Sequence, residues 1–204
     1  MYSRRTHVLL ACILIAILCG SIKLYTDISD GWSIHAPAHG SVLGEFDGVN
    51  IYAPGAYDAR GTYGIEFECV EYINRFYAQK LSFKNMTQTG HADSYFWHAK
   101  EKGLTAFPNG SSTPPRKYDI LVFDRGNNDG VPGHVAIVTH VDLVRGTIDV
   151  AQQNTVAKRY GGLLKKSIPK ESFRIEQHAQ GEWFVLTQPN RLPVAGWSRE
   201  RSSP

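Results

Sequence analysis

Cysteine is scarce in this chain, and only one cysteine lies outside the N-terminal segment. Of the three cysteines in 204 residues, Cys12 and Cys19 fall in an apolar N-terminal run, and Cys69 is alone in the remainder. One cysteine cannot build an intramolecular disulfide framework. It also cannot supply the several thiolates of a structural Cys-rich zinc site. Cys69 is therefore expected to be a free thiol.

The chain also lacks a strong excess of either charge. Lys and Arg number 22 against 19 Asp and Glu, a formal net charge of +3. The first 26 residues contain Arg4, Arg5 and Lys23 and no acidic residue, so the other 178 residues carry 19 basic and 19 acidic side chains. A nucleic-acid-binding domain normally presents a basic face, and this balance gives that class no support.

The N-terminal segment is apolar and begins with basic residues. Residues 6–22 include no Asp, Glu, Lys or Arg, and their 17 positions are at the lower limit for a membrane-spanning helix. Residues 1–26 are therefore predicted to be a signal peptide or an N-terminal membrane anchor. Cys19-Gly20-Ser21 supplies small residues for cleavage, whereas Leu18 argues against a lipid-anchored Cys19. A buried helix of the domain is the remaining alternative.

The position of Arg4 and Arg5 before the apolar run predicts an extracytoplasmic domain, because basic residues stay on the cytoplasmic side of a membrane. The protein would then be secreted, periplasmic or anchored by its N-terminal segment. Residues 27–188 are predicted to form one domain, since about 180 residues suffice for a single sizeable core. Residues 189–204, with Pro193 and a polar end, are predicted to be a C-terminal tail.

Apolar periodicity predicts helices before strands. Helical spacing covers residues 69–81, and a second helix is expected over 92–102, stopped by Gly103. Strands are predicted over residues 49–52, 120–123, 134–141, 147–152 and 183–186, with turns at 126–130 and at Arg145-Gly146. This order indicates an α+β domain with helices packed on an antiparallel sheet.

Cys69 lies where a Gly-rich loop gives way to a predicted helix. A helix N-terminus favours negative charge, which lowers a thiol pKa and produces the thiolate that a nucleophile needs. The alternative is a small buried core residue, a common role for free cysteine.

His134 opens the strongest predicted strand and is the candidate base for Cys69. A cysteine nucleophile requires a nearby base, and that base requires an orienting partner. The hairpin after His134 returns Gln152 and Asn154 alongside its start, so either could accept a hydrogen bond from the imidazole. His140, about 20 Å further along the strand, is too distant to serve the same site.

The other histidines give no metal-ligand pattern. Pro37 separates His35 from His39, and His91 and His98 have no carboxylate that completes such a pattern. G-x-S-x-G and phosphate-binding glycine motifs are absent from the sequence. Neither a metal nor an organic cofactor is predicted.

Three ordered motifs carry a family resemblance: residues 67–75 (Phe-Glu-Cys-Val-Glu-Tyr-Ile-Asn-Arg), 133–138 (Gly-His-Val-Ala-Ile-Val) and 152–154 (Gln-Gln-Asn). They resemble the CHAP domain, the cysteine, histidine-dependent amidohydrolase/peptidase. Within that family the chain is most similar to the amidase domain of glutathionylspermidine synthetase/amidase, over about residues 38–188. The resemblance implies a papain-like α+β fold of the CHAP and NlpC-P60 type.

By this resemblance Cys69 is the nucleophile, His134 the general base and acid, and Gln152 the residue that orients His134. Asn154 matches a supporting or alternative third residue. Gln152 departs from the Glu of many members, but papain-like enzymes use a neutral Asn in that role. Glu68 also departs from the family pattern, which often has Gln or another neutral residue before the cysteine. A carboxylate facing the site would oppose thiolate formation. Strict alternation would point it away, and the sequence leaves both orientations open.

The resemblance implies a hydrolase that cleaves an amide bond through a thioester, without nucleic acid as a partner and with membrane contact only through the N-terminal segment. An exported domain of this type is expected to act on peptidoglycan stem peptides. Two alternatives remain: an amidase acting on a glutathionylspermidine-like polyamine amide, and a non-catalytic CHAP-like cell-wall binding protein.

Overall fold

The computed structural model describes residues 4–54, 59–83, 86, 90–125 and 132–201. It contains three α-helices: α1 (Arg4–Ser29), α2 (Cys69–Lys80) and α3 (Ser94–Trp97). Its thirteen described strands are β1 (Val42–Phe46), β2 (Val49–Tyr52), β3 (Arg60–Gly61), β4 (Gly64–Ile65), β5 (Leu104–Pro108), β6 (Ile120–Phe123), β7 (His134–Asp142), β8 (Thr147–Ala151), β9 (Val156–Arg159), β10 (Leu164–Ser167), β11 (Lys170–Gln177), β12 (Trp183–Leu186) and β13 (Val194–Glu200). The chain forms two units, residues 1–36 with 156–166, and residues 37–155 with 167–204.

The first unit consists of α1 and the β9–β10 hairpin. His7–Ser29 is long and apolar enough to cross a membrane, with a mean hydropathy of 2.4. Residues 7–26 are exposed, which argues against the alternative of a buried core helix. At the end of α1, the Asp27 carboxylate accepts hydrogen bonds from the Arg159 guanidinium and from the Tyr160 hydroxyl. The hairpin is therefore fastened to the last turn of the helix.

The second unit is built on a seven-stranded antiparallel sheet in the order β12-β11-β8-β7-β6-β13-β5. Helix α2 packs against β7. Tyr72, Ile73 and Phe76 of this helix share one core with alternate residues of β6 and β7, including Ile120 and Val135. The predicted α+β architecture, with a helix packed on an antiparallel sheet, is confirmed.

The opposite face of the sheet is buried by other strands. Its core consists of strand residues alone, among them Leu121, Ala136, Ile148, Ile175 and Trp197. A sheet can bury such a face against its own strands only by curling. Strand β6 is therefore apolar at every position and β7 is apolar from Val135 to Val138, which explains why both were predicted from the sequence.

The predicted C-terminal tail is wrong over residues 194–200. Strand β13 is an interior strand of the sheet, between β6 and the edge strand β5, and Trp197 is fully buried. The prediction failed because only Val194 and Trp197 are large apolar residues in a segment that ends in charge. Strands β5 and β11 were not predicted either.

The predicted helix over residues 92–102 is also interrupted. One turn of α-helix, α3, is followed by a 3₁₀ turn, Ala99–Lys102. It ends, as predicted, at Gly103, which adopts a left-handed φ of 73°. The predicted turn at 126–130 lies outside the described residues.

Candidate active site

Cys69 is the first residue of α2 and is 8% exposed. The preceding residue, Glu68, has extended backbone angles (φ −75°, ψ 163°), so the chain changes direction immediately before the cysteine. The backbone N–H groups of Val135, Val70 and Cys69 itself act on the sulfur and lower the thiol pKa. Val135 follows His134 at the start of β7, the strand against which α2 packs.

The pKa of the Cys69 thiol is nevertheless raised to about 11. Burial is the largest cause and the Glu68 charge also raises the pKa, while the nearby backbone N–H groups offset part of the rise. The expectation of a thiol pKa lowered by the helix N-terminus is therefore wrong. The physical reason is that removing the sulfur from water disfavours its anionic form more than the amide groups stabilise it. At neutral pH, Cys69 is a thiol.

His134 is the first residue of β7, and Gly133 allows the chain to enter the strand there. Gly133 has a φ of +75°, and a Cβ at this position would lie 2.8 Å from the Phe123 carbonyl oxygen. The imidazole Nε2 lies 2.9 Å from Oε1 of Gln152 and 3.2 Å from Oγ1 of Thr155. The structure therefore brings His134 and Gln152 together as predicted from the hairpin.

The pKa of His134 is lowered to about 4. Burial is the largest cause, the hydrogen bond to Gln152 offsets part of it, and the Arg191 charge lowers the pKa as well. The imidazole is therefore neutral at neutral pH. A neutral thiol and a neutral base are thus the first residues of two packed elements, α2 and β7, and a proton would have to move between them in a reaction that uses both.

The Gln152 side chain is almost fully buried and connects His134 to a further carboxylate. Its Nε2 donates a 3.0 Å hydrogen bond to Oε2 of Glu171. The other carboxylate oxygen of Glu171 accepts a 2.8 Å hydrogen bond from Arg191. Sequence reasoning missed Glu171, Arg191 and Thr155. The pairing of β11 with β8 places Glu171 here, whereas Arg191 and Thr155 belong to loops that gave no signal.

Asn154 contacts a different partner from the one considered in the sequence. Its Nδ2 donates a 2.5 Å hydrogen bond to Oε2 of Glu68, not to the imidazole. The orientation of Glu68, which the sequence left open, is decided by the structure: Glu68 lines the same cleft as Cys69. The strand alternation assumed for Glu68 does not apply to a residue that precedes a helix.

A buried polar cluster holds the segment after β8 against the start of α2. Gln153 donates through Nε2 to the Glu68 carbonyl oxygen at 3.0 Å and to the Glu71 carboxylate at 2.9 Å. Arg75 forms an ion pair with Glu71 at 2.7 Å. These three side chains, each no more than 7% exposed, join the segment that carries Gln152 to the helix that carries Cys69.

The cysteine lies in a cleft of about 610 Å³, large enough for a peptide side chain or amide group. Arg60, Glu68, His91 and Pro132 also line it. His91 therefore has a place at the site that its sequence context did not reveal. Among the described residues, no group of three or more His, Cys, Asp or Glu is arranged to hold a metal ion.

Comparison with known proteins gives a family match and similarities to solved structures. Residues 58–154 match the family model of the CHAP domain. The structure is similar to a 2.15 Å crystal structure of N-acetylmuramoyl-L-alanine amidase from Staphylococcus aureus, with 18% identity and a TM-score of 0.39. That similarity covers 61% of this chain and 31% of the amidase chain.

No curated protein sequence matches the chain. Cys69, His134, Gln152 and Asn154 all fall inside the CHAP match. The finer likeness to the glutathionylspermidine amidase domain stays a prediction.

Proposed function

We propose that this CHAP region is a cysteine amidohydrolase that acts outside the cytoplasm on an amide bond of peptidoglycan stem peptides. The observation that carries the proposal is the packing of α2, which begins with Cys69 at the cleft, against β7, which begins with the His134 that contacts Gln152, all inside the CHAP match. The CHAP match supports the hydrolase class, and the apolar N-terminal helix supports an exported protein that meets the cell wall.

In the proposed reaction, His134 accepts the Cys69 proton as the sulfur attacks the substrate carbonyl carbon. Both groups begin neutral, so deprotonation and attack occur together. Because Nε2 contacts Gln152 and Thr155, Nδ1 is the ring nitrogen assigned to the thiol. The Cys69 backbone N–H donates to the oxyanion.

The protonated imidazole then donates its proton to the leaving amine, and a thioester on Cys69 remains. Water, activated by His134, attacks the thioester carbon, the C–S bond breaks, and the proton returns to the thiol. Gln152 keeps the imidazole ring in one orientation throughout the reaction. Its amide brings no full charge to the imidazolium, so the groups that contact Gln152 matter for catalysis.

Mass analysis of products from purified muropeptides and from glutathionylspermidine tests this proposal and its substrate. Cleaved stem peptides are expected with the wild-type protein, and no turnover with Cys69→Ser. Cys19→Ser is the matched control, because that cysteine lies in the N-terminal helix and should leave turnover unchanged.

Full turnover by Cys69→Ser would refute the cysteine mechanism. Cleavage of glutathionylspermidine and not of muropeptides would identify a polyamine amide as the substrate. Binding to cell walls without cleavage of either substrate would favour the non-catalytic alternative.

A further inference from the structure

We propose that Glu171 is a positioning residue that acts through Gln152 to fix the tautomer of His134. The inference rests on the proposed function of Cys69 and His134. It concerns a carboxylate on β11 that the CHAP motifs do not include and that lies on the far side of Gln152 from the imidazole.

The geometry forms a continuous chain of hydrogen bonds. His134 Nε2 contacts Gln152 Oε1 at 2.9 Å, Gln152 Nε2 contacts Glu171 Oε2 at 3.0 Å, and Arg191 contacts Glu171 Oε1 at 2.8 Å. Gln152 is 1% exposed. Burial leaves its amide few other partners, so each of these bonds matters for its orientation.

The orientation of the amide follows from the chemistry of its partner. An ionised carboxylate only accepts hydrogen bonds, so the amide atom that faces Glu171 must be the NH₂ group. The amide oxygen then faces His134 and requires an N–H donor at Nε2. A neutral imidazole has one N–H, which leaves Nδ1 unprotonated and able to accept the Cys69 proton.

Glu171 also supplies charge that Gln152 lacks. A carboxylate that accepts from one end of an amide polarises it, because hydrogen bonds in a chain strengthen one another. The amide oxygen thereby becomes a stronger acceptor for an imidazolium. Arg191 holds the carboxylate in place through their ion pair, in which Glu171 is 20% exposed and Arg191 43% exposed. The site therefore has a carboxylate on Glu171, which contacts Gln152 rather than His134.

Nitrogen NMR of the full chain labelled in its histidines tests the inference without any substrate. In the wild-type protein, His134 should show a protonated Nε2 and an unprotonated Nδ1. In Glu171→Gln the new amide can offer either a donor or an acceptor to Gln152, so a mixture of tautomers is expected. Glu176→Gln, on the same strand but paired with Arg174 at the surface, is the control and should keep the wild-type signals.

Turnover provides a second measurement. Glu171→Gln should lower kcat roughly tenfold, the scale of one charge-assisted hydrogen bond, with KM unchanged. Glu176→Gln should leave both constants unchanged. A tautomer spectrum identical in wild type and Glu171→Gln would overturn the inference, whatever the activity. A changed spectrum in a protein that cleaves nothing would keep the positioning role and reject the proposed function.

A charge exchange tests the coupling directly. Gln152→Glu would set two carboxylates at hydrogen-bond distance, and such a pair shares a proton with one pKa strongly raised. We expect an additional titration in its pH–rate profile, which the double variant Gln152→Glu/Glu171→Gln should lose while regaining turnover. Identical pH profiles for the single and double variants would show that residues 152 and 171 are not coupled.

Discussion

Glu68 is the residue whose charge opposes the nucleophile most directly. It raises the pKa of Cys69 in addition to burial. Glu68→Gln keeps an acceptor for Asn154 but removes the charge, so the thiol pKa should fall. Iodoacetamide alkylation of Cys69 at pH 8 should accelerate roughly threefold, which corresponds to half a pKa unit.

The control for this measurement is Glu182→Gln, a charge change outside the residues that line the cleft. In the wild type, alkylation should continue to increase with pH well above 8, because the thiol pKa is raised. A rate that levels off near pH 7 in the wild type would contradict the burial argument.

His134 makes the fold sensitive to acid. Its pKa is lowered to about 4 in the folded state, against about 6.5 when unfolded. Between these values the unfolded chain binds more protons, so this residue lowers the free energy of unfolding as pH falls from 6.5 to 4, by at most about 1.4 kcal/mol per pH unit. Above pH 6.5 it has no effect.

Urea denaturation at a series of pH values should show that the free energy of unfolding falls less toward acid pH in His134→Gln than in wild type. His140→Gln is the control, since His140 lies on the same strand but is exposed to solvent. Equal acid slopes in wild type and His134→Gln would contradict the buried, neutral imidazole.

At the scale of elements, the site depends on how α2 and β7 begin. Gly133→Ala should destabilise the fold by about 1–3 kcal/mol, because the residue has a left-handed φ and its Cβ would press on the Phe123 carbonyl oxygen. Gly48→Ala separates the two causes. Gly48 also has a left-handed φ, but a Cβ there meets no atom within 4 Å.

Urea midpoints should therefore fall further for Gly133→Ala than for Gly48→Ala, and turnover should fall only for Gly133→Ala because His134 moves. Equal losses of stability in the two variants would show that backbone strain alone is responsible.

At the scale of the whole molecule, the C-terminal segment belongs to the core. Strand β13 separates β6 from β5 and buries Trp197. A chain that ends at residue 188 should lose its cooperative unfolding transition, as measured by circular dichroism on heating. A chain that ends at Arg201 should retain it. Cooperative unfolding of the shorter chain would show that residues 189–204 are a tail that the fold does not need.

The sequence by itself determined the class of the fold, the start of α2, the β7–β8 hairpin and the return of Gln152 and Asn154 toward His134; the structure decided that Gln152 is the partner. These features depend on local periodicity and on a short turn, both of which are encoded within a few residues. The spacing of three motifs also predicted the CHAP region that the family comparison matches.

Only the tertiary structure decided the protonation of the site and the partners of its polar side chains. Burial of Cys69 outweighs the helix N-terminus, and burial is a property of the packed molecule. Glu171 reaches Gln152 through the pairing of β11 with β8. Strand β13 pairs with β5 and β6, which are distant from it in sequence. Such contacts between remote segments leave no periodic signal in a single chain.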